Sequence, residues 1–187
     1  MAYLEFNYYS KALARRTVVN VILPEAGKWE EGVGKGEKSE YKTLYLFHGL
    51  TQNHTDWMRR SSIERYAEKY SIAVVMPNVE RSWYCNTQYG ANYFDFNLES
   101  GLELDGGEHD LYAIVRRNYE KGIEFPKMYI WCGTEDEPGL FKTNQRFHEL
   151  LDELNIEHVY KESEGDHSWH WWDMHIQDGL RFLFEEN

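Results

Sequence analysis

The most constraining feature of this chain is the run Thr43-Leu-Tyr-Leu-Phe47, followed at once by His48-Gly49 and the polar stretch Leu50-Thr-Gln-Asn-His-Thr-Asp-Trp57. Five consecutive apolar, aromatic or β-branched residues without helical spacing read as a strand buried on both faces. Such strands occur where helices cover a parallel sheet. The run stops abruptly at a glycine, which lets the chain turn sharply and bring a backbone N–H close to a bound group. A buried strand opening into a His-Gly loop therefore predicts a sheet with a ligand site on its rim.

The rest of the chain follows that pattern. Arg16–Leu23 is β-branched and ends at Pro24, as a strand does. Residues 25–41 are glycine-rich and charged and read as an exposed connection without a function of its own. Ser61–Tyr70 predicts a helix with Ile63, Tyr66 and Ala67 on one face. Ser71–Met76 is a second buried strand, stopped by Pro77. Residues 78–96 are long, aromatic and irregular, which suits a binding wall. Asn97–Gly107 reads as a linker. Glu108–Lys121 predicts a helix with Leu111, Ile114 and Val115 inward, ending at Gly122. Strands at Lys127–Cys132 and Glu157–Lys161 flank an amphipathic helix, Leu140–Leu154, and Trp169–Glu186 closes the chain as a helix. This alternation predicts an α/β fold: one three-layer domain, residues 1–187, with a mostly parallel sheet.

Composition narrows the function. With 187 residues, 42% of them hydrophobic and 16% aromatic, the chain is long enough for a sizeable core. A net charge of −12 disfavours nucleic acid and anionic membranes, both of which would repel it. No apolar run approaches the roughly 20 residues of a membrane-spanning helix. The first residues, Met1-Ala-Tyr-Leu-Glu-Phe-Asn7, lack the basic and apolar segments of a leader, so a cytoplasmic setting is expected. Cys85 and Cys132 do not form a disulfide framework, and Cys132 reads as a small buried hydrophobe.

Two strand-end loops carry candidate chemistry. Gly133-Thr-Glu-Asp-Glu-Pro138 follows one strand and Glu162-Ser-Glu-Gly-Asp-His-Ser-Trp169 follows the next. Ligands of open parallel sheets sit at the carboxyl ends of strands, so both loops share the rim with His48-Gly49. An acid and a histidine there can work together: the carboxylate orients the imidazole, which takes a nucleophile's proton. Asp136 is the candidate acid, with Glu135 behind it, and His167 the candidate base. Trp57, Trp83, Tyr84 and Tyr89 have the side chains of an acyl or aryl pocket, with Trp57 and Tyr89 the leading candidates. Asp166, His167, His170 and His175 also have the residue types of a metal site, though the spacing is loose and the intervening tryptophans suit a packed helix start.

The chain resembles the tributyrin esterase group of α/β-hydrolases, near the S-formylglutathione hydrolases and feruloyl esterases. The matching segments are Tyr9-Ser-Lys-Ala-Leu13, Val18-Val-Asn-Val-Ile-Leu-Pro24, Leu46-Phe-His-Gly-Leu-Thr-Gln-Asn-His-Thr-Asp-Trp57 and Ser62-Ile-Glu-Arg-Tyr-Ala-Glu-Lys-Tyr70. They continue with Ala73-Val-Val-Met-Pro-Asn78, Tyr89-Gly-Ala-Asn-Tyr-Phe94, Trp131-Cys-Gly-Thr-Glu-Asp136 and Gly165-Asp-His-Ser-Trp169. The resemblance implies hydrolysis of short-chain acyl or aryl carboxylic esters by a serine nucleophile, without cofactor or metal. It makes Asp136 the acid, His167 the histidine, and the Leu50 N–H beside Gly49 an oxyanion-hole donor.

The chain departs from that family in one respect. It contains no Gly-x-Ser-x-Gly pentapeptide. The matching segments stop near Phe96, so an internal segment holding the nucleophile elbow is missing near 97–107. Ser100 is the only serine there and has neither a strand before it nor a helix after it. Ser62 and Ser168 sit where helices start and suit capping; Ser163 lies near the rim. Three readings stay open: a serine esterase lacking this segment, a non-catalytic remnant or binding module, and metal-assisted hydrolysis through the 166–175 cluster. With the central strands gone, strand 43–47 should pair directly with strand 127–132, or a second copy of the chain should fill the space.

Overall fold

A computed structural model describes residues 1–24, 41–80 and 111–185. The chain divides into two compact units, Met1–Glu99 and Ser100–Asn187.

The first unit holds a four-stranded sheet in the order β1-β2-β4-β3. β1 (Ala2–Ser10) and β2 (Arg15–Leu23) form an antiparallel hairpin in unbroken register from Ala2 opposite Leu23 to Ser10 opposite Arg15. β1 was not expected from the sequence, because most of its side chains are exposed and no apolar stripe marks it. β2 pairs antiparallel with β4 (Ala73–Pro77), and β3 (Thr43–Tyr45) pairs parallel with β4. The Leu46 N–H extends that ladder to the Val75 carbonyl at 2.9 Å. β3 is shorter than the apolar run predicts, because the Phe47 carbonyl is taken by the Trp57 indole N–H at 2.9 Å.

The helix expected over 61–70 is two helices, α1 (Asp56–Arg60) and α2 (Ile63–Tyr70), separated by the extended Ser61. Ser62 occupies the N-cap position of α2 but accepts from the Arg65 guanidinium rather than capping. α2 ends through Ser71 in the left-handed region, with the Ile72 N–H returning to the Ala67 carbonyl at 3.1 Å. Ile22, Ile63, Ala67, Ile72, Val74 and Met76 are fully buried. Each large aliphatic side chain so buried contributes about 1.5–3 kcal/mol.

The second unit contains α3 (Leu111–Glu120), β5 (Tyr129–Gly133), α4 (Pro138–Glu153), β6 (Val159–Ser163) and α5 (Trp169–Phe184). α3 stops at Gly122, whose positive φ lets its N–H and that of Ile123 return to the carbonyls of Tyr119 and Asn118. β5 and β6 pair in parallel, Tyr129 opposite Val159 through Gly133 opposite Ser163. Val115, Leu150, Leu151 and Ile156 form the core, with Phe147, Leu154 and Ile130 packed against it.

Among the described residues two strand pairings are parallel and two antiparallel, and β2 takes part in both antiparallel ones. Direct pairing of strand 43–47 with strand 127–132 does not occur among the described residues: β3 bonds to β4, and β5 to β6. Among the described residues, β3, β5 and β6 each have one hydrogen-bonded neighbour within their own unit. The deletion expected near 97–107 falls outside the described residues.

Candidate active site

Asp136 and His167 sit on the loops that follow β5 and β6, and these loops are bonded to each other. The parallel ladder continues past the strands, with Thr134 N–H donating to the Ser163 carbonyl and Glu135 N–H to the Gly165 carbonyl, both at 2.9 Å. Two glycines permit this approach. A Cβ on Gly133 would stand 2.1 Å from the Gly165 carbonyl oxygen. Gly165 itself has φ +152 and packs so closely between Trp171 and Trp131 that a Cβ would meet them at 3.0 and 3.1 Å.

On this frame His167 Nδ1 lies 3.2 Å from Asp136 Oδ1 and 3.3 Å from Oδ2. The Asp136 side chain is 11% exposed and that of His167 53%. The carboxylate also accepts from the Glu137 N–H at 2.7 Å, which fixes its plane. The Trp172 ring meets the imidazole edge-to-face, centroids 4.8 Å apart. The arrangement holds Nδ1 as the donor and leaves Nε2 to accept a proton, the form a general base needs. Glu135, the runner-up acid, spends its backbone on Gly165.

In the first unit, His48 is buried, and its ring is fixed from both sides. The Val79 N–H donates to Nε2 at 3.1 Å, so Nδ1 carries the proton and faces the Gly49 carbonyl at 2.8 Å. His48 is thus a brace for its loop and holds no free nitrogen for proton transfer. The Gly49 N–H donates to Gln52 Oε1 at 2.8 Å, whereas the Leu50 N–H has no acceptor among the described residues. Trp57 is partly exposed, with its N–H committed to Phe47. Tyr89, the other pocket residue, lies outside the described residues, as do Trp83, Tyr84, Cys85 and Ser100.

The 166–175 side chains of the alternative metal reading do not gather among the described residues. His167 faces Asp136; His170 packs edge-on to Trp171; His175 turns to Ser163 and Asp178. Ser168 is the N-cap residue of α5, yet its side chain makes no capping bond. Cys132 is buried as expected, and burial, then Asp136 and Glu162, pushes its thiol up.

One network went unnoticed in the sequence. The Trp131 indole N–H donates to Ser163 Oγ at 2.9 Å, Ser163 Oγ lies 3.3 Å from His175 Nε2, and His175 Nδ1 lies 3.4 Å from Asp178. Its order of hydroxyl, imidazole and carboxylate copies that of a hydrolytic triad. However, the Trp131 ring lies flat on His175, centroids 3.9 Å apart, and its N–H already engages the hydroxyl. The network ties α5 to the sheet beneath the His167 loop. Only the spacing of His175 and Asp178 on one helical face could have signalled it.

Known proteins share this architecture. The chain is 25% identical to FphF, a fluorophosphonate-binding serine hydrolase of Staphylococcus aureus solved with substrate bound, with a TM-score of 0.87 over 99% of each chain. It is 25% identical to the S-formylglutathione hydrolase FrmB of the same organism, with a TM-score of 0.81 over 98% of this chain and 99% of that one. An acetyl esterase of Caldicellulosiruptor saccharolyticus is 24% identical over 264 residues, covering 98% of both chains. That alignment exceeds the 187 residues of this chain by 77 (264 − 187), so a large part of it lies opposite gaps here. No protein-family profile matches the chain. The fold and these likenesses define an α/β-hydrolase. Within that superfamily the chain is similar to members of the esterase group.

Proposed function

We propose that this chain is a carboxylic ester hydrolase in type, acting on short-chain acyl or aryl esters, in which Asp136 and His167 form the acid–base half of a serine-esterase site. The contact of His167 Nδ1 with the Asp136 carboxylate at 3.2 Å carries this reading. In the reaction, His167 Nε2 accepts the proton of the attacking hydroxyl as that oxygen bonds to the ester carbonyl carbon. It then returns the proton to the departing alcohol; a water repeats the sequence and frees the acid. Asp136 holds the imidazole in the required tautomer and balances its transient charge. The sequence offers the Leu50 N–H as oxyanion donor and Trp57 and Tyr89 as pocket residues. The esterase relatives support the substrate class.

The second reading, a binding module that keeps the rim without turnover, is favoured by one observation: the chain has no Gly-x-Ser-x-Gly. No helix among the described residues is long and apolar enough to cross a membrane, which is compatible with the cytoplasmic setting proposed from the sequence. A second copy of the chain filling the missing sheet centre remains part of the proposal.

Turnover of p-nitrophenyl acetate and butyrate, with covalent labelling by a fluorophosphonate, tests both readings. Turnover that His167→Ala abolishes supports the esterase, and the labelled peptide identifies the nucleophile. Neither turnover nor labelling leaves the binding module. Turnover undiminished in His167→Ala rejects the assigned base.

A further inference from the structure

Away from the Asp136–His167 loops, three metal-type side chains gather where α4 ends and β6 begins. His148 and Asp152 lie one turn apart on α4, and His158 stands just before β6. His148 Nδ1 is 2.7 Å from His158 Nε2, and His148 Nε2 is 3.5 Å from Asp152 Oδ2. Asp152 Oδ1 is 4.0 Å from His158 Nε2. One ligand atom from each residue lies within 4.8 Å of the other two.

The hydrogen bonding of His158 fixes its tautomer. Its side chain is 4% exposed, and Nδ1 lies 2.8 Å from the Ile156 carbonyl. That bond requires the proton on Nδ1, so Nε2 presents a lone pair to His148 and Asp152. Metal-bound imidazoles are held in this way, with the distal N–H donated to a carbonyl that fixes tautomer and ring direction. The His148 ring is held too, stacked on Tyr160 with centroids 4.3 Å apart. Asp152 is 65% exposed and free to close on a cation from the solvent side.

We propose that His148, Asp152 and His158 bind a divalent cation of the zinc class, leaving a fourth position for water. Two imidazole nitrogens and one carboxylate oxygen suit zinc, cobalt or nickel, whereas magnesium and calcium take oxygen sets. Bonds of about 2.0–2.1 Å in a tetrahedral site part neighbouring nitrogens by roughly 3.3 Å. The two rings therefore open slightly on binding, as the proton between them moves to His148 Nε2. The cation sits at the start of β6, and the His167 loop leaves its end. The five residues between span roughly 16 Å at about 3.3 Å each. Its role is to pin α4 to β6, not to touch an ester.

Calorimetric titration of the full chain with zinc sulfate, and the visible absorption of the cobalt(II) form, test the site. One cation per chain is expected, with a higher melting temperature and a cobalt spectrum of four-coordinate intensity. Removing His158 risks the fold, so the decisive variants are His148→Ala and Asp152→Asn on the half-buried and exposed members. Each should weaken zinc at least tenfold while the far-ultraviolet circular dichroism of the metal-free chain stays unchanged. Absence of zinc and cobalt binding, or wild-type affinity in both variants, overturns the proposal.

Discussion

Gly133 faces the Gly165 carbonyl so closely that a methyl group on it would stand 2.1 Å from the oxygen. Both atoms belong to backbone, so neither a rotamer change nor a flexible side chain can relieve the clash. Gly133→Ala should therefore part the two loops and destabilise the chain by about 1–3 kcal/mol, the range of overpacked interiors. Urea unfolding reads the loss; an unchanged midpoint would show that the loops slide apart freely.

Asp136→Asn keeps the shape of the side chain but removes its charge. If the chain turns over p-nitrophenyl esters, this variant should lose on the order of 10²–10⁴ in kcat, the usual worth of a positioned acid–base group. Stability should hold, because the imidazole partner is half exposed. Retained turnover would show that His167 needs no orienting carboxylate.

His54 supplies a pH dependence. Burial, opposed by the nearby Asn78 side chain and Glu5 carboxylate, holds its imidazole below the ordinary value of 6.5. The folded chain then resists a proton that the unfolded chain accepts. The stability tied to neutral His54 is present above pH 6.5 and is lost as pH falls from there towards the lowered folded value. Unfolding titrations at pH 7.5 and 5.5 should show a smaller drop for His54→Gln than for the wild type. An equal drop would assign the acid sensitivity to the carboxylates alone.

Leu151 is wholly buried in the core of the second unit. Leu151→Ala should cost about 2–5 kcal/mol through lost contacts and the cavity left behind. Thermal unfolding followed by circular dichroism measures it. A loss below 1 kcal/mol would mean that Phe147 and Ile130 collapse into the space.

The spacing of Phe147, Leu150, Leu151 and Leu154 marked α4 because that helix has one buried face. Asp136 and His167 could be singled out because they follow consecutive parallel strands, where topology alone brings loops together. β1 escaped notice because its side chains point mostly into solvent. β6 starts at Val159 rather than Glu157, since the His158 ring folds back on the Ile156 carbonyl before the ladder begins. The pairings of His148 with His158 and of Ser163 with His175 were invisible for another reason. Spacing gives the face of one helix, but not what the neighbouring strand presents to it.

The ladder that continues from β5 and β6 into their loops has an evolutionary consequence. An acid and a base aligned by their own backbone bonds form a heritable cassette, indifferent to what happens elsewhere in the gene. If the proposed esterase reading holds, a lineage that lost its attacking group would still pass on the aligned pair, and a hydroxyl regained in the right place would restart the chemistry without rebuilding it.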